Sequence, residues 1–259
     1  MAKLLRAAAL SLLSLLVLPI AAKAQQPTIL HVNGADPTCG GNTPCFTTIQ
    51  AAVNAAQAGN IVQIQAGTYI EQVSISGKNN TAGASENDRI VIESDPALFP
   101  GSVVIDGLVN QCTNGHAFRF QQSKFITLRG LTITGAGGQA ISLMGGNNQN
   151  QAIHIEQNRI FGNGSGSCDG GITIARGNPD TLIVNNLIYG NGRNGIATID
   201  ADGGPHYIIN NTIHANGWNG LRITRTHDAI LANNSITGNG TAPGTTGGRF
   251  GVSREGSGG

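Results

Sequence analysis

The sequence has few charged and few aromatic residues. Asp, Glu, Lys and Arg make up 11% of its 259 residues and aromatic residues 4%, whereas an average globular protein has roughly 25% charged residues. Coiled coils need many charged side chains, and disordered chains combine strong net charge with few apolar residues, so both classes are excluded. A formal net charge of +1 offers no basic surface for nucleic acid, and four Cys are too few for a disulfide-built miniprotein.

The first 24 residues have the pattern of a secretory signal peptide. Lys3 and Arg6 precede an apolar run over residues 7–17, and residues 22–24 supply the small-x-small cleavage pattern. The run is too short to cross a membrane, and no later segment is long and apolar enough. Removing the three cations of residues 1–24 changes the net charge from +1 to −2, since 1 − 3 = −2. We expect an exported protein, secreted or periplasmic, in a compartment where disulfides can form.

What the sequence has in excess is glycine and asparagine, with 38 and 26 residues, and both recur in an internal repeat. Four segments, IHIEQNRIFGNG, TLIVNNLIYGNG, HYIINNTIHANG and AILANNSITGNG, begin at residues 153, 181, 206 and 229. Alignment places asparagines in two columns, Asn158, Asn186, Asn211 and Asn234 in the first, Asn163, Asn191, Asn216 and Asn239 in the second. We interpret these columns as structural ladders of stacked Asn side chains at sharp turns.

The apolar residues of each repeat alternate with the period of a β-strand, as in Ile153/Ile155 and Ile172/Ile174. Short parallel strands that repeat every 23 to 28 residues predict an all-β fold, a single-stranded right-handed parallel β-helix with one repeat per coil. Leucine-rich repeats need a Leu-rich consensus, which is absent, and propeller blades need about 40 residues. Gly and Asn tolerate the positive φ that turns of such a solenoid require.

The segment before the first coil differs from the repeats. Residues 47–59 read as a helix with a Thr N-cap and a Gly stop, and we expect this helix to cap the open end of the solenoid. The domain boundaries are then a signal peptide at 1–24, an N-terminal segment at 25–59 and coils at 60–259. A closing cap is missing after the last strand, so either a short tail covers the last coil or the chain is a fragment of a longer protein.

The four cysteines fall into two pairs. Cys39 and Cys45 flank a short GGNTP segment, and we expect a local disulfide between them. Cys112 and Cys168 are two coils apart, and they pair only if long loops bring their Cα atoms within about 7 Å.

At this point the sequence resembles the right-handed β-helix proteins of the pectin lyase-like superfamily. The resemblance is carried by TIQAAVNAAQAGNIVQIQAGTYIEQVSISG at 48–77, by RIVIES and VVIDG at 89–94 and 103–107, and by the NN-x-I-x-x-NG coils. It implies the fold and an action on extracellular polysaccharide, although the superfamily also includes adhesins and proteins without assigned activity. The sequence lacks the paired Asp and Gly-His-Gly motifs of galacturonases and the Arg-x-Pro-x-x-Arg motif of classical pectate lyases.

A charged column follows the second strand set of the repeats. Aligned by their inward residues, these strands place Arg176, Asp200, Arg225 and Arg254 at one offset and Asn178, Asp202 and His227 two residues further. As a structural feature the column is an Arg-Asp-Arg ladder that keeps like charges apart. As a functional feature it is a groove for an anionic polysaccharide, in which Arg176, Arg225 and Arg254 bind carboxylates and Trp218 stacks on a sugar ring.

Two functions are compatible with this column. A uronate lyase needs a base to remove the C5 proton, for which His227, Arg225 and His206 are the candidates in that order, and Asp200 with Asp202 are candidate calcium ligands. A glycoside hydrolase would require two suitably spaced carboxylates, and the sequence offers no unambiguous pair. The alternative is a non-catalytic carbohydrate-binding or surface-structural module. In either case we expect a monomer, with extracellular polysaccharide as the partner.

Overall fold

The computed structural model describes residues 26–107, 115–146, 149–164, 170–199, 204–224, 229–242 and 250–255. Within these ranges the strands form three parallel sheets of nine, seven and seven strands. Each sheet contains strands that are far apart in sequence, because the chain visits the three sheets in turn. The predicted parallel β-helix is therefore confirmed.

Two strands and a helix precede the first coil, namely β1 (Ile29–Val32), β2 (Cys45–Phe46) and α1 (Ile49–Ala55). The side chain of Thr48 caps α1 by accepting a hydrogen bond from the Ala51 N–H, and the helix ends before the predicted Gly59. Its buried face, formed by Ile49, Ala52 and Val53, packs against the first strands of the solenoid. The predicted capping helix is thus confirmed, whereas β1 and β2 were not predicted.

Seven coils of three strands follow in the described residues. The first four coils contain β3 (Ile61–Ile64), β4 (Gly67–Ile70) and β5 (Val73–Ser76); β6 (Ile90–Ser94), β7 (Val103–Asp106) and β8 (Phe118–Gln121); β9 (Lys124–Arg129), β10 (Thr132–Thr134) and β11 (Ile141–Leu143); and β12 (Gln151–Glu156), β13 (Arg159–Phe161) and β14 (Ile172–Ile174). The last three coils contain β15 (Thr181–Val184), β16 (Leu187–Tyr189) and β17 (Ile196–Thr198); β18 (His206–Ile209), β19 (Thr212–His214) and β20 (Leu221–Thr224); and β21 (Ala229–Ala232), β22 (Ser235–Thr237) and β23 (Val252–Glu255). Short 3₁₀ turns lie at Cys39–Gly41 and Glu86–Asp88.

The first, second and third strands of the coils form sheets A, B and C, respectively, and β1 and β2 extend sheet A at its start. Equivalent residues pair in register from coil to coil, so identical residue types stack along the axis. One inner column of sheet A runs through Ile92, Leu128, Ile155, Ile183 and Ile208. These side chains are 0–1% exposed, and burial of each contributes about 1.5–3 kcal/mol to folding.

The turns at the corners between sheets explain why the repeat contains Asn-Asn pairs and Gly-Asn-Gly segments. At the corner between sheets A and B, the first residue of each pair adopts a left-handed conformation, with φ of 57° at Asn185 and 55° at Asn210, and the second points inward and stacks. The Nδ2 of Asn186 donates to the Oδ1 of Asn211 at 3.0 Å, and the backbone N–H of Asn186 donates to the same oxygen at 2.9 Å.

The same bonding continues along both predicted columns. It joins Asn158 to Asn186 and Asn211 to Asn234 in the first, and Asn163 to Asn191, Asn191 to Asn216 and Asn216 to Asn239 in the second. The two ladders are therefore confirmed. The disulfide between Cys39 and Cys45 is also present, with a Cα–Cα distance of 5.7 Å.

Candidate functional site

Several residues of the predicted charged column lie outside the described residues. They are Asp200, Asp202, Arg225 and His227, together with Cys112 and Cys168. The calcium ligands, the two leading candidate bases and the second disulfide consequently remain predictions. Arg176, which follows β14, is exposed as expected for a member of an outward column.

The structure corrects the position of Arg254. The sequence alignment matched Val252 with Ile223, but β23 pairs with β20 so that Val252 lies beside Leu221 and Arg254 beside Ile223. The alignment was wrong by two residues, because Val252 and Phe250 are equally acceptable apolar markers and only the hydrogen-bond register distinguishes them. Arg254 therefore belongs to an inner column at the last coil and not to the outward one.

Asn178 and His206 are also buried rather than outward. Asn178 is 0% exposed, and its Oδ1 accepts from both the backbone N–H and the Nδ2 of Asn150. This pair forms a third ladder, at the corner between sheets C and A, that the sequence analysis missed. His206 is 0% exposed in β18, so its imidazole cannot reach a polysaccharide outside the solenoid, and its candidacy as the base was wrong.

Trp218 is half-buried and already has a partner on its ring. The guanidinium carbon of Arg193 lies 3.8 Å from the ring centroid, a cation–π contact that covers one face of the indole. A sugar could therefore stack only on the opposite face. Trp218 remains a predicted binding residue.

A cleft with charged side chains in its lining lies elsewhere, at the corner between sheets A and B. In later coils the turn at this corner is two residues long. In coil 2 it is a loop of eight residues, 95–102, between β6 and β7. This loop forms one wall, Gly130, Leu131 and Thr132 of coil 3 form the floor, and Gln157 and Arg159 of coil 4 form the far wall. The cavity has a volume of about 550 Å³.

The loop wall presents apolar groups to solvent. Pro96, Leu98 and Pro100 line the cleft, and Phe99, between two of these lining residues, is 87% exposed. Asp95 orders the start of the loop, since its carboxylate accepts from the Ala97 N–H at 2.9 Å and from the Gln65 amide at 2.8 Å. A large apolar side chain held in water at the rim of a cleft is a feature of binding surfaces.

Charged groups on the outer face of sheet A adjoin this loop. Arg129 lies between two carboxylates, with its Nε 2.9 Å from Glu93 and its Nη1 3.3 Å from Glu156, and its Nη2 also bonds Glu93. Burial by itself would lower the pKa of Arg129, but the hydrogen bond and charge of Glu93, aided by Glu156, outweigh burial and raise it. One guanidinium faces two carboxylates, so this cluster keeps one net negative charge, and its ion pairs fix the cleft wall.

Arg159 is the cleft cation that remains accessible. Its side chain is exposed, and its Nε donates to the Tyr189 hydroxyl at 2.9 Å. The guanidinium also lies 5.4 Å and 5.5 Å from the ring centroids of Phe161 and Tyr189. Among the described residues, no hydrogen bond occupies its two terminal nitrogens. The rings thus hold the guanidinium in place, and its two terminal nitrogens can donate a pair of hydrogen bonds to a carboxylate.

The aromatic column beside Arg159 is a structural stack. Phe161, Tyr189 and His214 lie in successive coils with ring centroids 5.0 and 5.1 Å apart and interplanar angles of 15° and 3°. Their faces cover one another, so the stack offers mainly ring edges to a ligand. The exposed Phe99 is the ring that offers a free face.

A second, larger hollow of about 970 Å³ lies at the beginning of the solenoid, near α1. Its lining has no ionisable side chain and includes Gln26, which adjoins residues that the structure does not describe. We therefore place the candidate site in the cleft between the 95–102 loop and Arg159. The sequence signal for it was present, because Asp95-Pro96 and Pro100-Gly101 mark an inserted loop.

Metal-binding groups do not converge in the described residues. No three His, Cys, Asp or Glu side chains there could hold one metal ion, and Cys39 and Cys45 are oxidised. In the same residues no helix has the length and apolar character needed to traverse a bilayer.

Comparison with known proteins identifies one family and several solved structures of similar fold. The family model described as "Periplasmic copper-binding protein (NosD)" matches residues 54–249. A search of curated proteins finds no match.

Three solved structures illustrate the similarity in fold. A rhamnogalacturonan lyase has 15% identity and a TM-score of 0.60 over 89% of this chain and 62% of that chain. Pectate lyase Pel9A has 15% identity and a TM-score of 0.53 over 77% and 63%, and a pectin methylesterase from Aspergillus niger has 13% identity and a TM-score of 0.50 over 90% and 88%. The chain spans less than two thirds of the length of the two lyases, and identities this low show the fold alone.

Proposed function

The chain belongs to the family of the periplasmic copper-binding protein NosD, and on that premise we propose that it is an exported β-helix protein that binds an acidic polysaccharide. The disulfide supports export, since such bonds persist in oxidising compartments. The structurally similar lyases and esterases are named for action on pectin or rhamnogalacturonan, which supports a polysaccharide as the ligand. Copper is not part of this proposal, because the donors of the described residues do not fit a copper site.

The observation that carries the proposal is the composition of the cleft. Sugar rings combine apolar C–H faces with hydroxyl groups, and the cleft combines Leu98 with the polar side chain of Gln157, while Phe99 is exposed beside it in the same loop. Arg159 adds a guanidinium suited to the carboxylate of a uronic acid. Pockets for small ligands have this mixture of apolar walls and a few placed polar groups.

Calorimetric titration with oligogalacturonate, oligoalginate and neutral dextran oligosaccharides tests the proposal. We expect binding of an acidic oligosaccharide and weakening by about tenfold, or about 1.4 kcal/mol, in both Arg159→Ala and Phe99→Ala. Ile70→Ala is the matched control, because Ile70 is 58% exposed on coil 1 and outside the cleft. Unaltered affinity in both cleft variants would place any binding elsewhere.

The predicted charged column is the alternative location for the polysaccharide-binding site. Arg176→Ala should leave the affinity unchanged if the cleft is the binding site. Loss of affinity in Arg176→Ala with normal affinity in Arg159→Ala would instead support the column near sheet C. Release of unsaturated uronate products, followed by ultraviolet absorbance, would identify a lyase; its absence with retained binding would identify a non-catalytic module.

A further inference from the structure

Arg159 is an isolated cation on its face of the solenoid. Apart from one histidine, the seven described strands of sheet B contain two charged residues, Asp106 in β7 and Arg159 in β13. In its outward column Arg159 lies between Thr132 of coil 3 and Leu187 of coil 5, which are both uncharged. A ligand that runs over these strands therefore meets a single guanidinium.

The other arginine of the cleft is already engaged by carboxylates. Each of the three guanidinium nitrogens of Arg129 bonds to Glu93 or Glu156. Asp95 adds a further carboxylate to the lining, and its oxygens accept hydrogen bonds from neutral amide groups only, those of Ala97 and Gln65. Arg159 is thus the one cation of the cleft that can pair with a carboxylate of a ligand.

The cleft as a whole has more negative than positive charge. Its two cations, Arg129 and Arg159, face three anions, Glu93, Asp95 and Glu156. One carboxylate of a ligand can pair with Arg159, but a second one close by would meet negative groups without a compensating cation. Like charges repel more strongly where a cleft partly excludes water. Consecutive uronates are therefore disfavoured at this site.

The surfaces on both sides of Arg159 suit uncharged sugars. Leu98 lines the cleft on one side, and on the other side Leu187 and Tyr189 of coil 5 are half-buried and uncharged. The exposed amide of Gln157 can bond to a sugar hydroxyl. Apolar contacts with a few placed polar groups bind the C–H faces and hydroxyl groups of a neutral sugar and need no charge on it.

We propose that the cleft selects glycans whose uronates are separated by neutral sugars, with one uronate carboxylate on the Arg159 guanidinium and neutral sugars on either side of it. This selectivity rests on the proposed function, since it concerns the same site. Specificity arises from repulsion of the wrong ligand as well as from attraction of the right one. Here Arg159 attracts the first carboxylate, and the anions of the lining repel the next.

Calorimetric titration with two oligosaccharides of equal length tests this selectivity. One contains galacturonate alone, and the other alternates galacturonate with rhamnose, which has no charge. We expect the alternating ligand to bind at least about tenfold more tightly at low ionic strength, and this preference to diminish in about 1 M salt, where charges are screened within about 3 Å. Equal affinities, or tighter binding of the pure oligogalacturonate, would overturn the proposal.

Glu156→Gln examines whether charge is the source of the preference. Glutamine keeps the size of the side chain and its oxygen can still accept from Arg129, but the cluster becomes neutral, so the preference should narrow by about threefold. Asp180→Asn is the matched control, because Asp180 is exposed and lies outside the cleft, and the change removes the same charge. A preference that neither salt nor Glu156→Gln alters would come from sugar shape and would contradict selection by charge.

The outcomes separate this selectivity from glycan binding itself. If neither oligosaccharide binds, the proposed binding of an acidic polysaccharide is wrong and the selectivity is wrong with it. If pure oligogalacturonate binds as tightly as the alternating ligand and loses affinity in Arg159→Ala, binding in the cleft stands and only the selectivity is wrong.

Discussion

His154 is a residue whose surroundings make the protein sensitive to acid. Its Nε2 lies 3.3 Å from Nη2 of Arg89. The same guanidinium pairs with Glu86 and donates through Nη1 to the Ala152 carbonyl at 3.0 Å. Burial, followed by the positive charge of Arg89, lowers the pKa of His154 to about 4 from 6.5, although Glu86 opposes the shift. The folded protein therefore holds this imidazole neutral over a range in which the unfolded chain binds a proton.

The consequence is a loss of stability as pH falls from about 6.5 to 4. Because the unfolded state binds the extra proton in this window, the free energy of unfolding decreases with acidification, by about 1–2 kcal/mol after allowance for partial exposure. Urea unfolding at several pH values should show this slope in the wild type and a smaller slope in His154→Gln. Equal slopes in the two proteins would mean that His154 titrates normally in the fold.

At the scale of the element, the corners carry much of the specificity of the fold. Each ladder Asn satisfies buried backbone groups that no strand can reach: the Nδ2 of Asn186 donates to the Ile155 and Val184 carbonyls at 2.8 and 3.1 Å. The capping helix depends on a similar contact. The Glu71 carboxylate of coil 1 accepts hydrogen bonds from the Ile49 and Gln50 N–H groups at 2.9 and 3.0 Å. This negative charge is stabilised there because the N-terminus of a helix carries a partial positive charge.

We expect Asn186→Ala to lower the free energy of unfolding by about 2–4 kcal/mol, because it leaves several buried polar groups without partners. Asn185→Gly is the matched control. Asn185 is exposed with a φ of 57°, a conformation that glycine adopts without strain. The free energy of unfolding of Asn185→Gly should therefore be unchanged or slightly higher. Urea denaturation of the two variants makes the comparison, and similar losses would show that ladder bonding is not what stabilises the corner.

At the scale of the whole molecule, coil stacking requires backbones to approach closely at particular corners. A Cβ at Gly171 would lie 1.9 Å from the carbonyl oxygen of Gly195, and one at Gly195 would lie 2.7 Å from that of Gly220. These glycines are therefore needed for the spacing between coils, a role separate from the positive φ of the turns. The glycine excess of the sequence has two physical causes, positive φ at turns and close approach between coils, and only the first is visible in the sequence.

Gly171→Ala should consequently destabilise the protein by at least about 2 kcal/mol, since overpacking against backbone cannot relax by rotamer change. Gly83→Ala is the control, because a Cβ there meets nothing within 4 Å. Thermal unfolding of both variants should show a clear decrease in melting temperature only for Gly171→Ala. Equal melting temperatures would mean that neighbouring coils can separate at little cost.

The sequence by itself determined the fold, the two main Asn ladders, the capping helix and the local disulfide. These features follow from periodicity and from short spacings, such as the repeat of Asn158 and Asn186 or the sequence separation of six between Cys39 and Cys45. Local chemistry dictates them, since strand alternation, positive φ and helix caps act over a few residues.

Only the tertiary structure decided the register of the last coil, the burial of His206 and Asn178, and the cleft formed by the 95–102 loop with Arg159. Each depends on which residues become neighbours across coils. A shift of two residues in pairing leaves the apolar alternation unchanged but moves every side chain into the next column on the same face.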